Sequence, residues 1–588
     1  MQVFRDFHKR TAIVCSIIAL VMACTDTQGP VRIDAKALAE VEALLNDAVL
    51  TEAALTPEVT SRLGLDSSLA PAAKSQLSDV SQASFERQRL LRLDLATRLS
   101  QAADLPMDQP LTRDLVLARL ALRDLIVLQA SGKGHISLSQ TRIYTIDPFA
   151  GLWIEGPQAL IRDHVIETAD DAEAYVARMA DLADGLQDTR RRLIADAATG
   201  HLPPAEILRE TRLRIERLIA EDAFLIIQST LETFSLGLPD DGSSTHASRI
   251  QAALQIYQED LLPAYVELAQ SLSDLEDQAP IPLGVWTQPG GVTLYNDLLQ
   301  VWAGSTSSVG TLWPSLESEA AIERQITQTN SQTAQDNDPD RLLQNPDDLS
   351  NQADPVSYLE ARLAGAAGSL QIRENKDLIV MPMTGLNFLT ARHDDKRPAT
   401  IEYDSEILEQ LPTDVSKALT SSQYMAATRL YNDAVQTASR RSLIRAYLHD
   451  SPFENAWSTY FYSVSSPDAQ SIEAITRFQA AIAATDLGLH AKRWTLENAK
   501  AFLVEQTGVS KDTAEQITLR LSANPGQAVG VYVHLKRFQS LETRTRQVLG
   551  YRFDLSSFLD VLLSDGPRPL DIVESDIENW YETLMNNR

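Results

Sequence analysis

Apolar residues recur at helical spacing along most of the chain, and this periodicity limits the fold more than any other property of the sequence. Residues 114–130 are apolar on nearly every side, which is typical of a buried helix. A Pro-Pro pair at 203–204 marks the start of a helix that extends to about residue 234, because proline is tolerated in the first helical turn. Strand patterns are confined to 378–383 and 399–404. We therefore predict a mainly α fold with a small β-sheet at most.

The first 23 residues have the composition of a bacterial export signal. Three basic residues lie among the first ten, and a run of about 12 apolar residues follows, which is too short to span a bilayer. Residues 21–24 match a lipobox, in which the cysteine is acylated and becomes the new N-terminus. We predict a lipoprotein signal peptide at 1–23, lipidation of Cys24 and a tether over 24–40. A plain secretory signal is the alternative.

The charge and the cysteine content limit the possible binding partners of the protein and its cellular location. The chain has 80 acidic and 52 basic residues, and a net charge of −28 repels phosphate backbones, so nucleic acid is excluded as a partner. Lipidated Cys24 makes the membrane the predicted partner. Thr25 stands where an aspartate would indicate retention in the inner membrane, so we predict a periplasmic protein attached to the outer membrane. Cys15 leaves with the signal, which leaves no free thiol for a disulfide or a metal.

A polar segment divides the predicted helices into two groups. Residues 326–354 are rich in Gln, Asn and Asp and contain two Asp/Asn-Pro breaks, which is typical of a surface loop. This loop separates a predicted N-terminal helical half, 41–325, from a C-terminal helical half, 355–588.

Sequence motifs for common catalytic sites are missing. No two of the nine histidines lie three to six residues apart, so no helical turn offers two imidazoles to zinc. The chain contains no Gly-x-Ser-x-Gly elbow and no phosphate-binding glycine-rich loop. The glycine-rich segment 132–135 is predicted to be a turn.

Several short motifs occur in a fixed order between about residue 40 and residue 585. Together they resemble the pattern of the bacterial domain-of-unknown-function family 885, including its Asp-Thr-Gly-x-His-x-x-x-Trp-Thr segment and its Pro-Gly-Gln-Ala turn. The matching segments are 146–151, 171–175, 284–286, 397–398, 486–495, 525–528 and 553–570.

This resemblance implies a fold and a chemistry. Many members of the family are lipoproteins with a large helical metallopeptidase-like fold that encloses a cleft. They carry a His-Glu-x-x-Pro-Gly-His run followed by a Glu-Gly-Trp-Ala-x-Tyr-x-Glu helix. Two imidazoles and a carboxylate suit zinc, and the glutamate of the first run can take a proton from metal-bound water.

The present sequence departs from the family at each of these positions. The first run aligns with 431–437, where Tyr431 and Thr437 replace the two histidines and Asn432 replaces the base. Asn455 stands at the carboxylate ligand of the second run. Glu454 is one residue away, a rotation of about 100° around a helix. Amide, hydroxyl and phenol groups neither bind zinc strongly nor act as a base at neutral pH. We therefore predict no catalytic residues, no metal and no cofactor.

The preferred functional prediction is a pseudoenzyme, a non-catalytic relative that acts as a binding or scaffold protein for a peptide or an envelope protein. His490 is either a packed core histidine or a remnant of ligand binding, and Arg397 and Arg520 are either structural or carboxylate-binding. The predicted cleft residues are Arg397, Glu454, Tyr460, His490, Arg520, Gln527 and Tyr532.

Two alternatives stay open. One is an active hydrolase of peptides, metal-dependent or not, with a different site built from Glu454, Asp433 and His449. The other is an envelope assembly or stress factor with no small ligand.

Overall fold

The computed structural model describes most of the chain outside its first 34 residues and a long central region. The described residues are 35–105, 110–138, 141–220, 224–236, 238, 243–304, 307–314, 316, 378–383, 399–404, 442–448, 451–465 and 469–586, with backbone alone described at 378–383 and 399–404. The predicted loop at 326–354 therefore lies outside the described residues.

The described chain is mainly helical, which confirms the predicted fold class. Its first eleven helices are α1 (Ala35–Leu55), α2 (Pro57–Arg62), α3 (Gln82–Gln101), α4 (Pro110–Ser131), α5 (Leu152–Gln158), α6 (Ala169–Ala198), α7 (Ala205–Ala220), α8 (Phe224–Ser235), α9 (Ser243–Ile256), α10 (Leu262–Glu276) and α11 (Gly291–Ala303). The later helices are α12 (Ile444–Tyr447), α13 (Ser451–Ser465), α14 (Ala469–His490), α15 (Leu496–Thr507), α16 (Lys511–Ala523), α17 (Gln527–Leu549), α18 (Leu555–Leu563) and α19 (Leu570–Asn586).

Two short strands interrupt the helices at the segments that the sequence predicts. Strands β1 (Leu378–Met383) and β2 (Ala399–Asp404) pair in parallel, with Leu378 opposite Ala399. The helix predicted from 203 to about 234 corresponds to α7 and α8. Residues 221–223, between these two helices, lie outside the described residues. None of the described helices is long and apolar enough to cross a membrane.

Local side chains begin several of the helices. Thr168 accepts a hydrogen bond from the backbone N–H of Asp171 at the start of α6, and the Asp171 side chain bonds back to Thr168, which forms a capping box. Ser510 and Asp554 accept the corresponding bonds at the starts of α16 and α18. These caps satisfy N–H groups that have no partner within the helix.

One apolar cluster joins helices from both ends of the chain. Val41 and Leu45 of α1, Tyr295 of α11, and Leu487 and Val529 of α14 and α17 are at most 2% exposed and belong to the same cluster. Residues on both sides of the predicted loop therefore share one hydrophobic core.

A network of arginines and aspartates ties the start of α4 to the C-terminal region. The Arg113 guanidinium lies 2.8 Å from Asp565 and also contacts Asp576. Asp114, which is 1% exposed, accepts a hydrogen bond from Arg445 at 2.6 Å. These contacts connect residues more than 300 positions apart in the sequence.

Two other features of the N-terminal region constrain its packing. Arg92 of α3 and Glu52 of α1 form a fully buried ion pair at 2.8 Å, and Arg92 also donates to the carbonyl of Ile136. In the turn at 132–135, a Cβ on Gly134 would overlap the backbone carbonyl of Arg142, so the close approach of two backbones requires glycine there.

Candidate functional site

The N-terminus of α17 is bound by a buried carboxylate. Asp486 on α14 is completely buried and accepts hydrogen bonds from the Gly526 N–H at 2.9 Å and from the Tyr295 hydroxyl at 2.8 Å. Gly526 has φ 84°, which favours glycine at this turn. Burial raises the pKa of Asp486 to about 7, against the opposing effect of these hydrogen bonds. The aspartate of one family-like motif thus binds the glycine of another.

His490 is a structural histidine in the core. Its Nδ1 accepts a hydrogen bond from the Val285 N–H at 3.0 Å, so Nε2 carries the proton and donates to the Leu521 carbonyl at 2.9 Å. Burial lowers the pKa of His490 to about 4, and the ring is therefore neutral at pH 7. Both nitrogens are occupied by backbone groups, which leaves His490 no lone pair for a metal or a ligand.

Arg520 connects α16 to the loop that begins with Asp147. Its guanidinium lies 4.4 Å from the centre of the Phe149 ring, and that of Arg214 lies 5.0 Å from the same ring. Asp147 holds the loop because its Oδ1 accepts hydrogen bonds from the N–H groups of Phe149 and Ala150. Arg520 therefore has a packing partner in the N-terminal half of the chain.

The helix aligned with the second metal-binding run is α13, and it packs against α17. Tyr460 is fully buried and donates to Glu542 of α17 at 2.7 Å; burial raises the pKa of this phenol. Glu454 and Asn455 lie half-buried one turn earlier on α13, and the carbonyl of Asn455 accepts from Ser458. Asn455, which we predict to stand at the position of a carboxylate ligand, is therefore part of the α13 helix.

Gln527 and Tyr532 both lie on α17. Gln527 is the first residue of the helix and is half-buried. Tyr532 is buried at 4% exposure, and the Lys536 ammonium lies 5.9 Å from the centre of its ring. The remaining residues predicted for the site lie outside the described residues, and these are Cys24, Arg397, Tyr431, Asn432, Asp433, Thr437 and His449.

The described side chains do not form a metal centre. Within the ranges given above, no three His, Cys, Asp or Glu residues are grouped as a metal ion requires. The zinc chemistry that the resemblance implies therefore has no fitting ligand set among these described residues.

A separate cavity of about 330 Å³ lies between α4, α11, Leu448 and the segment that leads into α19. Its walls are largely apolar and include Leu117, Ala121, Leu128, Trp302 and Ile572. This volume lies at the lower end of the range for small-ligand pockets. None of the predicted cleft residues among those described lines this cavity.

Polar groups line part of the same cavity. His534 is 3% exposed, and its Nδ1 donates a hydrogen bond to the Gly530 carbonyl at 2.9 Å. Asp571 adds a carboxylate, whereas the carboxylate of Asp124 pairs with Arg123 at 2.7 Å. Arg568 also lines the cavity, but it donates to Asp576 and to three backbone carbonyls. The cavity thus combines apolar walls with hydrogen-bond acceptors.

The sequence offers little signal for this cavity. Its apolar residues on α4 belong to the run 114–130, which reads as an ordinary buried helix. The remaining walls come from His534 and from segments near 138, 300, 448 and 570, which meet only in the folded chain. Only the long-range contacts of the fold bring these residues together.

Two solved bacterial structures share this fold. A crystal structure described as the putative lipoprotein from Colwellia psychrerythraea matches 93% of this chain and 100% of its own with a TM-score of 0.81 at 18% identity. A putative lipoprotein of unknown function from Shewanella oneidensis matches 92% and 99% of the two chains with a TM-score of 0.62 at 14% identity. The protein is therefore one of a class of large, mainly helical bacterial proteins.

The family follows from the sequence match. A family model described as bacterial protein of unknown function (DUF885) matches residues 57–383 and 474–577, which is more than half of the chain. The chain belongs to this family, as its motifs predict. The matched ranges leave out 384–473, the segment that holds the aligned positions from Tyr431 to Tyr460. A search of curated proteins found no match.

Proposed function

We propose that the protein is a lipid-anchored envelope protein that binds a peptide-like ligand without catalysing its hydrolysis. The observation that carries the proposal is the 330 Å³ cavity, whose apolar walls fit an aliphatic or aromatic side chain. The carboxylate of Asp571, which also lines the cavity, fits an N–H donor of a peptide.

The residue changes in the aligned metal-binding runs support a non-catalytic role. Asn455 provides a neutral amide at the position of a carboxylate ligand, and the family match leaves out the segment that contains it. His490 bonds to backbone at both ring nitrogens and is not free to replace a missing ligand. Loss of several ligands together with the base is difficult to compensate, because zinc sites use three or four protein ligands.

Binding can be tested with one substitution inside the cavity and the same substitution outside it. Ala121→Phe places a ring among the cavity walls, whereas Ala130→Phe adds the same ring at an exposed position on α4. In thermal unfolding with a panel of apolar tripeptides, we expect at least one peptide to raise the Tm of the wild type and of Ala130→Phe but not of Ala121→Phe. Equal Tm shifts in both variants would refute binding in this cavity.

The non-catalytic part of the proposal has its own test. Purified protein is analysed for zinc by mass spectrometry and incubated with the same peptides, with and without a chelator. We expect neither stoichiometric zinc nor peptide cleavage. Stoichiometric zinc with chelator-sensitive cleavage would establish the alternative, a hydrolase.

The anchor is tested by labelling. Cells that express the wild type are expected to incorporate radiolabelled palmitate into the protein, because a lipobox cysteine becomes acylated. The Cys24→Ser variant is expected to incorporate none. Equal labelling of the two proteins would overturn the proposed lipidation site.

A further inference from the structure

One stretch of the sequence is almost free of charge. Residues 278–316 contain a single charged residue, Asp297, although 22% of the whole chain is charged. Asp297 is half-buried and accepts a hydrogen bond from Ser131 at 3.1 Å. An acidic protein with a net charge of −28 therefore has a surface segment with no exposed carboxylate among the described residues of that stretch.

The fold places two cations on this stretch. The Arg493 guanidinium lies 4.7 Å from the centre of the Trp286 ring, and the Lys492 ammonium lies 4.8 Å from that of Trp313. The indole N–H of Trp286 donates to the Leu489 carbonyl at 3.2 Å, which fixes the stretch against the end of α14. Aromatic rings thus hold both cations over the uncharged segment.

Apolar side chains are exposed on the same stretch. Ile281 is 82% exposed and Val292 is 57% exposed, while Trp286 and Trp313 are half-buried. We refer to Trp286, Trp313, Lys492 and Arg493, which are joined by the ring–cation contacts, as the Trp–Lys–Arg face; Ile281 and Val292 lie in the same uncharged stretch of sequence.

The two cations of this face lack acidic partners. Among the described residues, neither Lys492 nor Arg493 forms an ion pair with a carboxylate, and both are exposed. Neighbouring Lys500, by contrast, pairs with Glu497 at 3.4 Å and with Glu515 at 2.5 Å. Unpaired cations stay available for an anionic partner.

The backbone at Arg493 is strained. Arg493 has φ 59°, and it is the one residue other than glycine with a positive φ in the described part of the chain. A side chain in this left-handed conformation costs about 1–2 kcal/mol, and glycine normally occupies such positions after a helix. Retention of arginine there is explained if its side chain has a binding role.

We propose that the Trp–Lys–Arg face contacts a bilayer that contains anionic phospholipids. Tryptophan favours the boundary between headgroups and acyl chains, and lysine and arginine bind lipid phosphates. Exposed Ile281 and Val292 fit the same boundary. A stretch of sequence without exposed carboxylates is repelled by a negative membrane less than an acidic segment of the same length would be.

The face complements the proposed lipid anchor and does not depend on the cavity or on the anchor. The 11 residues from Cys24 to Ala35 could extend to about 35 Å, so an anchor alone leaves the orientation of the folded region undefined. Contact through the Trp–Lys–Arg face orients the protein on the membrane surface.

Vesicle binding tests the proposal directly. The protein used is residues 25–588, which keep every described helix and lack the lipidated cysteine. It is sedimented with vesicles of phosphatidylglycerol and phosphatidylethanolamine. We expect binding to these vesicles and much weaker binding to pure phosphatidylcholine. Neutralising both cations, with Lys492→Gln and Arg493→Gln, is expected to weaken binding about 30-fold, which corresponds to about 1 kcal/mol for each cation near a membrane.

Matched controls separate this contact from nonspecific charge effects and from lost stability. Lys511→Gln with Arg217→Gln removes two exposed cations elsewhere and is expected to leave vesicle binding unchanged. Ile281→Ser is expected to weaken binding, whereas Leu236→Ser, at a site that is 75% exposed, is not. The Tm is measured for every variant.

Any of three results in the binding assays would overturn the proposal, and a fourth comes from the Tm measurements. They are no binding by the wild type, equal losses in the Lys492/Arg493 variant and its control, and equal binding to neutral and anionic vesicles. If the two cations only stabilise the end of α14, their loss lowers the Tm and leaves vesicle binding unchanged, which also refutes the proposal.

Discussion

Replacing Asp486 with alanine is expected to destabilise the protein by about 3–5 kcal/mol. Asp486 is completely buried and accepts hydrogen bonds from the Tyr295 hydroxyl and the Gly526 N–H. Each buried donor that loses its partner costs about 1–3 kcal/mol, and the small cavity left by the carboxyl group adds to that cost. The N-terminus of α17 also loses the group that binds it.

A second capping aspartate provides the comparison. Asp554 at the start of α18 accepts hydrogen bonds from the Ser557 N–H and hydroxyl, but it is exposed to solvent. Water can replace the lost bonds in Asp554→Ala, so we expect a loss of about 1 kcal/mol, typical of an exposed N-cap. The two substitutions are identical in chemistry and differ mainly in burial.

Urea denaturation followed by circular dichroism at pH 6 measures both losses. The Tyr295→Phe variant removes one hydrogen-bond donor to Asp486 and leaves the Gly526 bond in place. We expect it to lose about 1 kcal/mol of unfolding free energy, which is less than the loss for Asp486→Ala. If Asp486→Ala and Asp554→Ala shift the unfolding midpoint equally, the reasoning from burial is wrong. A change in the denaturant slope would instead indicate altered compactness of one state.

Three further outcomes are expected. Burial raises the folded-state pKa of Asp486 to about 7 from 3.8. The unfolding free energy of the wild type relative to Asp486→Asn should therefore fall as the pH rises from about 4 to 7, and then level off. A rise of this free energy over the same range in urea titrations would contradict the assigned shift. Gly134→Ala should destabilise by about 1–3 kcal/mol because its Cβ overlaps a backbone carbonyl. Gly310→Ala should change the Tm little, because its Cβ meets only the Ser308 hydroxyl at an ordinary contact distance of 3.9 Å; similar Tm values for the two variants would exclude this account. Arg92→Met should cost about 3–5 kcal/mol by leaving Glu52 buried without its partner, and adding Glu52→Leu should restore much of that loss; a double variant as unstable as the single one would argue against it.

Features that depend on neighbouring residues follow directly from the sequence. Helical spacing predicts a mainly α protein because 3.6-residue periodicity is a local property. The strands at 378–383 and 399–404 are likewise marked by short apolar runs with flanking breaks. The family resemblance identifies the two motifs that contain Asp486 and Gly526, at 486–495 and 525–528.

What those motifs do depends on contacts across the chain. Asp486 and Gly526 are 40 residues apart, and only the folded structure shows that one binds the other. The same holds for His490, whose spacing cannot show that both its nitrogens bond to backbone. The cavity at Ala121 and His534 is formed by segments more than 400 residues apart, so no local pattern predicts it.

The arginine–aspartate network at the start of α4 has a consequence for biogenesis. A chain that is synthesised from its N-terminus presents Arg113 and Asp114 early. Arg445, the partner of Asp114, follows much later, and Asp565 and Asp576, the partners of Arg113, come last. Until those final residues arrive, the early helices have charged groups without counterions and an incomplete apolar core. A product that stops short of Asp565 should therefore be readily degraded by proteases even though it contains most of the described helices.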